Sequence, residues 1–134
     1  MAAGANPVVR APSARVIEAG LDHVRLSYLY LDQGDIDGYG SLLDADAVLY
    51  RPGGEPIRGR SQIERFQIGR GGRCRTEHLI HEVLASQERV VVTGRIVTRT
   101  SADGHSDVDF ADIFTLSDSG LLLSQRTYYF VEPV

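Results

Sequence analysis

The chain has 134 residues, 43% of them hydrophobic, and a formal net charge of −4. That length and apolar content fit one domain with one ordinary core, and the acidic balance argues against a nucleic-acid partner, because such a surface repels phosphate. All fourteen basic residues are arginines, which excludes lysine nucleophiles and Schiff-base chemistry.

The opening segment "MAAGANPVVRAPS" lacks the long apolar core of a signal peptide, and no window approaches the length of a membrane span. It reads as a disordered tail over residues 1–12, followed by a single domain over 13–134. The lone Cys74 has no internal disulfide partner and fits a reducing compartment. A cytoplasmic protein without a membrane partner is the expectation.

Helical periodicity begins after Ser13, a plausible N-cap, with Ile17, Leu21, Val24, Tyr28 and Leu31 recurring at steps of three and four. Gly34 in "DQGDIDG" breaks that helix, and Asp35 caps a short second one through about Leu43. From Ala47, "AVLYR" reads as a strand ended by "PGGEP", with a short strand near Ile57. "GRSQIERFQIGR" supplies a third helix, with Ser61 and Glu64 at capping-box spacing. Four β segments follow, at about 74–85, 89–100, 106–117 and 120–132, joined by connections too short for anything but antiparallel neighbours. Helices first and a meander after predict an α+β fold with helices covering one face of a curved antiparallel sheet.

The sharpest chemical feature is "FADIFTL", residues 110–116. Period 2 sets Asp112 on one face with Phe110 and Phe114, and an ionised carboxylate in apolar surroundings is costly unless paired or protonated. Asp112 is therefore either a structural acceptor for a neighbouring loop or arginine, or a carboxyl group lining a pocket with a raised pKa. His78 and His81 are three apart, so a regular strand points them to opposite faces and they do not share a metal. Parity with Leu79 and Val83 favours His81 as the inward one. Gln125, Thr127 and Tyr129 share a face of the last strand, and that polar row reads as a pocket wall. Tyr50 either fills core or reaches a pocket with its hydroxyl. His105, Asp107 and Asp109 alternate like metal ligands but follow an Asp-Gly turn and read as a solvated hairpin edge, so no metal site is expected. Residues 51 to 75 hold seven arginines against Glu55 and Glu64, either a solvated face or a surface that greets an acidic ligand.

With Asp112, His78, Tyr50 and the helix–helix–strand–helix–meander order taken together, the chain resembles the SnoaL-like branch of the nuclear transport factor 2-like superfamily. "GDIDGYGSLLDADAVLYRPGGEPIRGRSQIERF" looks like that family's opening block, and "FADIFTLSDSGLLLSQRTYYF" like its closing hairpin. The resemblance implies a cone-shaped sheet wrapped around a deep pocket and closed by three helices. It also implies a homodimer paired through the outer sheet face, where Ile113, Tyr128 and Phe130 lie. Ketosteroid isomerases keep an acid where Asp112 stands, but their base falls at Arg51 and their helical tyrosine near Ser27. Limonene epoxide hydrolases need a carboxylate at Thr127. Scytalone dehydratase is closer: "RTEHLI" resembles the segment of its catalytic histidine at His78, "LYR" places Tyr50 on its catalytic tyrosine, and Asp32 falls near its helix aspartate. Its second catalytic histidine falls near Thr98 or Arg99. The resemblance thus moves the inward histidine from His81 to His78.

It implies a cofactor-independent cyclase, dehydratase or isomerase acting by proton transfer on an apolar, carbonyl-bearing small molecule of polyketide type. Asp112, His78, Tyr50 and Asp32 are the candidate catalytic residues, and Phe110, Phe114, Gln125, Thr127 and Tyr129 the candidate substrate-binding ones. Arg51 should point away from the pocket if Tyr50 points in. The alternative is a non-catalytic binding or dimerising accessory protein of the same fold.

Overall fold

A computed structural model describes residues 13–86, 89–100 and 104–131. The tail expected over 1–12 lies outside the described residues, as do parts of the turns at "SQE" and "SADGH". Helix α1 (Ala14–Gln33) starts at the predicted cap, where Ser13 Oγ accepts from the Val16 N–H at 3.3 Å. It ends at Gly34, whose φ of 72° is left-handed and strained for any residue with a Cβ. The apolar stripe of α1 buries Val24 and Tyr28. Asp35 caps α2 (Ile36–Ser41) through the Gly38 N–H at 2.9 Å. That helix stops short of Leu43, which already belongs to β1 (Leu43–Tyr50).

Helix α3 (Arg60–Gly71) begins after Gly59, without a side-chain cap. The predicted capping box is therefore not formed, since Ser61 already lies inside the helix. Glu64 instead sits against α2, where a Cβ on Gly40 would come within 2.5 Å of its carboxylate. The absence of a side chain at Gly40 lets the two helices close.

The remaining strands are β2 (Ile57–Arg58), β3 (Cys74–Ala85), β4 (Arg89–Thr100), β5 (His105–Leu116) and β6 (Leu122–Tyr129). They form one curved, unclosed sheet in the order β2-β1-β6-β5-β4-β3, with the helices packed on its inner face. Strands β3 to β6 make the expected antiparallel meander. One pairing corrects the expectation of a wholly antiparallel sheet: β1 runs parallel to β6, with Leu49 opposite Gln125. These two strands are distant in the chain, so no tight turn dictates their relative direction.

The β3–β4 ladder contains a bulge. Ile80 lies opposite Gly94, yet Glu82 lies opposite Thr93, so His81 is an extra residue on β3. A one-residue insertion reverses which side chains face the core. Before it, Thr76 and His78 look toward the helices; after it, Val83 does, packing on the core. The regular parity that grouped Leu79, His81 and Val83 is broken there, and His81 is exposed.

Candidate functional site

A cavity of about 690 Å³ lies between α1, α3 and the concave face of the sheet. Leu31, Leu49, Phe66, Ile96 and Phe110 give it an apolar wall. Of the residues singled out in the sequence, Asp32, His78, Phe110, Gln125, Thr127 and Tyr129 line it. Asp112, Phe114 and Tyr50 do not.

The closest polar pair on the wall joins α1 to β3. Tyr28 and Asp32 are one turn apart and share a face of α1, while His78 faces them from β3. Asp32 Oδ1 accepts from His78 Nδ1 at 2.6 Å, and Oδ2 accepts from the His78 backbone N–H at 2.8 Å. Thr76 Oγ1 adds a third donor to Asp32, at 3.3 Å. β3 is an edge strand, so Asp32 satisfies a backbone donor that would otherwise be open to pairing. The same contact fixes the ring: a carboxylate partner holds the proton on Nδ1 and leaves Nε2 as the acceptor in the neutral imidazole. Tyr28 packs on the ring at a centroid distance of 4.9 Å, and the Phe110 ring meets it edge-on at 5.8 Å. With its side chain 11% exposed, His78 is held in one orientation and still reaches the cavity.

Asp112 lies one layer behind. It is 3% exposed, with Oδ2 accepting from the Tyr28 hydroxyl at 2.5 Å and Oδ1 from the Thr127 hydroxyl at 2.5 Å. Loss of solvation pushes its pKa up, against the opposing pull of Thr127, Tyr28, nearby His78 and Gln125. Burial, and the adjacent Asp112, push the Tyr28 phenol up as well. Tyr39 on α2 is pushed up to about 12, chiefly by burial. Of the two expectations for Asp112, the pocket-lining catalytic carboxyl is corrected, because Tyr28, Phe110 and Thr127 line the cavity and Asp112 does not. Phe114, fully buried beside it, is core. The geometry makes Asp112 a clamp on two wall residues.

The β1 parity also differs from expectation. Ala47, Leu49 and Arg51 face the concave side, which turns Tyr50 outward, where the Arg126 guanidinium lies 4.1 Å over its ring. Arg51 enters the cavity wall and stacks on Phe66 at 4.3 Å. The Ala47–Leu49 alternation carries this signal, against the inward Tyr50 that the resemblance implies. Tyr28 enters the sequence analysis only through the α1 periodicity, although its i, i+4 spacing to Asp32 places both on one helix face.

The profile of the SnoaL-like domain matches residues 24–124. The chain belongs to the SnoaL-like family. Three solved structures show the same nuclear transport factor 2-like fold. An LEH-like epoxide hydrolase from M. tuberculosis is 20% identical, with a TM-score of 0.78 over 85% of this chain and 84% of that one. A nuclear transport factor 2-like protein of unknown function from Burkholderia pseudomallei is 18% identical, with a TM-score of 0.76 over 84% and 91%. A protein from Xanthomonas campestris, provisionally assigned as a polyketide cyclase, is 17% identical, with a TM-score of 0.77 over 86% and 93%. No curated protein matches the sequence. Among the described residues, no cluster of three or more His, Cys, Asp or Glu side chains is placed to hold a metal ion, and no helix is long and apolar enough to cross a membrane.

Proposed function

We propose that this SnoaL-like protein is a cofactor-independent catalyst of proton transfer, a cyclase, dehydratase or isomerase acting on a carbonyl-bearing small molecule of polyketide type. The observation that carries this reading is the Asp32–His78 pair on the cavity wall, packed against the Tyr28 and Phe110 rings. In the proposed step, His78 Nε2 takes a proton from the carbon next to the carbonyl, and the electron pair of that C–H bond moves onto the carbonyl oxygen as an enolate. Asp32 stabilises the imidazolium that forms, and the ring returns the proton to the rearranged product. Gln125 and Tyr129 on the wall supply neutral donors for the oxyanion. Tyr28 and Thr127 already donate to Asp112, so Asp112 acts as a positioning residue. Epoxide hydrolysis is the less favoured chemistry, because the position at which the resemblance called for a carboxylate is Thr127.

Two copies pair, in this reading, through the convex sheet face, where Leu84 and Tyr128 are 57% and 49% exposed.

Hydrogen–deuterium exchange at the carbon next to the ketone of 2-tetralone, followed by NMR in D2O, tests the chemistry without the natural substrate. The wild type should accelerate exchange, with His78→Ala and Asp32→Asn losing roughly 100-fold or more of that rate. His78→Ala exchanging as fast as wild type would overturn the assignment.

A further inference from the structure

The cavity carries a charge opposite to that of the molecule. Four arginines line it, Arg51, Arg70, Arg73 and Arg75, against the single carboxylate of Asp32, in a chain of net charge −4. Asp32 is already committed to His78 and Thr76, and among the described residues none of the four arginines has an acidic partner. Exposed arginines such as Arg73 and Arg75 can simply be hydrated. Arg51 is different. Its Nε is buried with no hydrogen-bond partner among the described residues, and its guanidinium stacks on the Phe66 ring at 4.3 Å and lies beside Gly54, where a Cβ would come within 2.8 Å of Nη2. A buried donor without an acceptor is costly to keep. A guanidinium held flat against an aromatic face presents its N–H fork ready for a planar or tetrahedral oxyanion.

We infer that the substrate of this site carries an anionic group, a carboxylate or a phosphate, which Arg51 binds inside the cavity while Arg70, Arg73 and Arg75 draw it to the mouth. This rests on the reading of the cavity as the substrate site, and it narrows the substrate class from neutral ketones to keto acids or phosphate-bearing carbonyl compounds. The anion lies against α3 and the His78 side of the molecule receives the reacting carbon. Low-dielectric walls strengthen the attraction and raise the local concentration of anions at the mouth.

The test compares 2-naphthoate with 2-naphthamide, a neutral probe of nearly the same shape, by calorimetric titration of the full chain at 20 and 300 mM NaCl. Naphthoate should bind about tenfold or more tightly at low salt, with the preference shrinking at high salt. Arg51→Gln should abolish the preference. Arg75→Gln, at an exposed position, should reduce it. Phosphopantetheine serves as the phosphate probe: arginine-dependent displacement of naphthoate by it assigns the anion to a carrier-type phosphate, and naphthoate binding without displacement assigns it to a carboxylate on the substrate itself. Equal affinity for acid and amide, no measurable binding of either anion, or an undiminished preference in both arginine variants overturns the inference. Tetralone exchange without an anion preference sinks this inference alone, whereas an anion preference without exchange in the wild type sinks only the catalytic reading.

Discussion

Replacing Asp112 by asparagine and by alanine separates the charge of its carboxyl group from its hydrogen bonds. Because burial raises its folded-state pKa above the ordinary value of 3.8, the folded chain binds more protons than the unfolded chain between that value and the raised one. Stability in this window therefore falls as pH rises, and the loss is complete once pH exceeds the folded-state pKa. Asparagine has no proton to lose, and its amide can still accept from one hydroxyl and donate to the other. Asp112→Asn should thus stay within about 1 kcal/mol of wild type near pH 4 and gain relative to it as pH rises toward 8. Alanine strands the Tyr28 hydroxyl, on a residue only 4% exposed, at about 1–3 kcal/mol, while Thr127 at the cavity wall can turn to water. With a further contribution of roughly 1 kcal/mol from the small void, Asp112→Ala should lose about 2–4 kcal/mol. Urea unfolding of the three proteins at pH 4, 6 and 8 reads all of this. Equal losses for asparagine and alanine, or a stability difference from asparagine that does not change with pH, would refute the reasoning.

Gly94→Ala places a Cβ within 2.3 Å of the Leu79 carbonyl oxygen opposite the β3 bulge, so urea midpoints should show a loss of about 1–3 kcal/mol, and an unchanged midpoint would count against the described bulge. Gly34→Ala forces a side chain into the left-handed cap of α1 and should cost about 1 kcal/mol in the same assay. Leu84→Arg combined with Tyr128→Arg puts charge on the convex face and should convert a dimer to a monomer in light scattering, with wild type already monomeric at micromolar concentration ending the pairing proposal. Thr127→Val removes one donor to Asp112 and should lower stability by about 1–2 kcal/mol, while Tyr28 keeps the carboxyl in place.

How much of this was legible depended on whether the signal was local. The α1 stripe, its Ser13 and Gly34 ends and the meander boundaries rest on periodicity and on turn residues, and these lie within a few positions of one another. The depth of Asp112 was half legible: flanking phenylalanines announce burial, but the layer that separates it from the cavity is made by Tyr28, 84 residues away, and Thr127, 15 residues away. The inward histidine was hidden from pattern reading because a bulge has no signature in alternation. It appears only as a step in the register against Gly94.

The bulge and the site are nevertheless one device. His78 can face the helix because β3 keeps regular parity up to Ile80, and Val83 can rejoin the core because the extra residue at His81 resets it. Without that insertion, the strand would have to expose either the histidine or the valine. The open edge of β3 in turn offers the His78 N–H to Asp32, so the irregular strand is held by the carboxylate that orients its ring. Asp32→Ala should therefore lose the ring orientation and the edge contact together. Hydrogen exchange at the His78 amide should then accelerate in step with the loss of tetralone exchange, and a protected amide in an inactive variant would show that the two roles are separate.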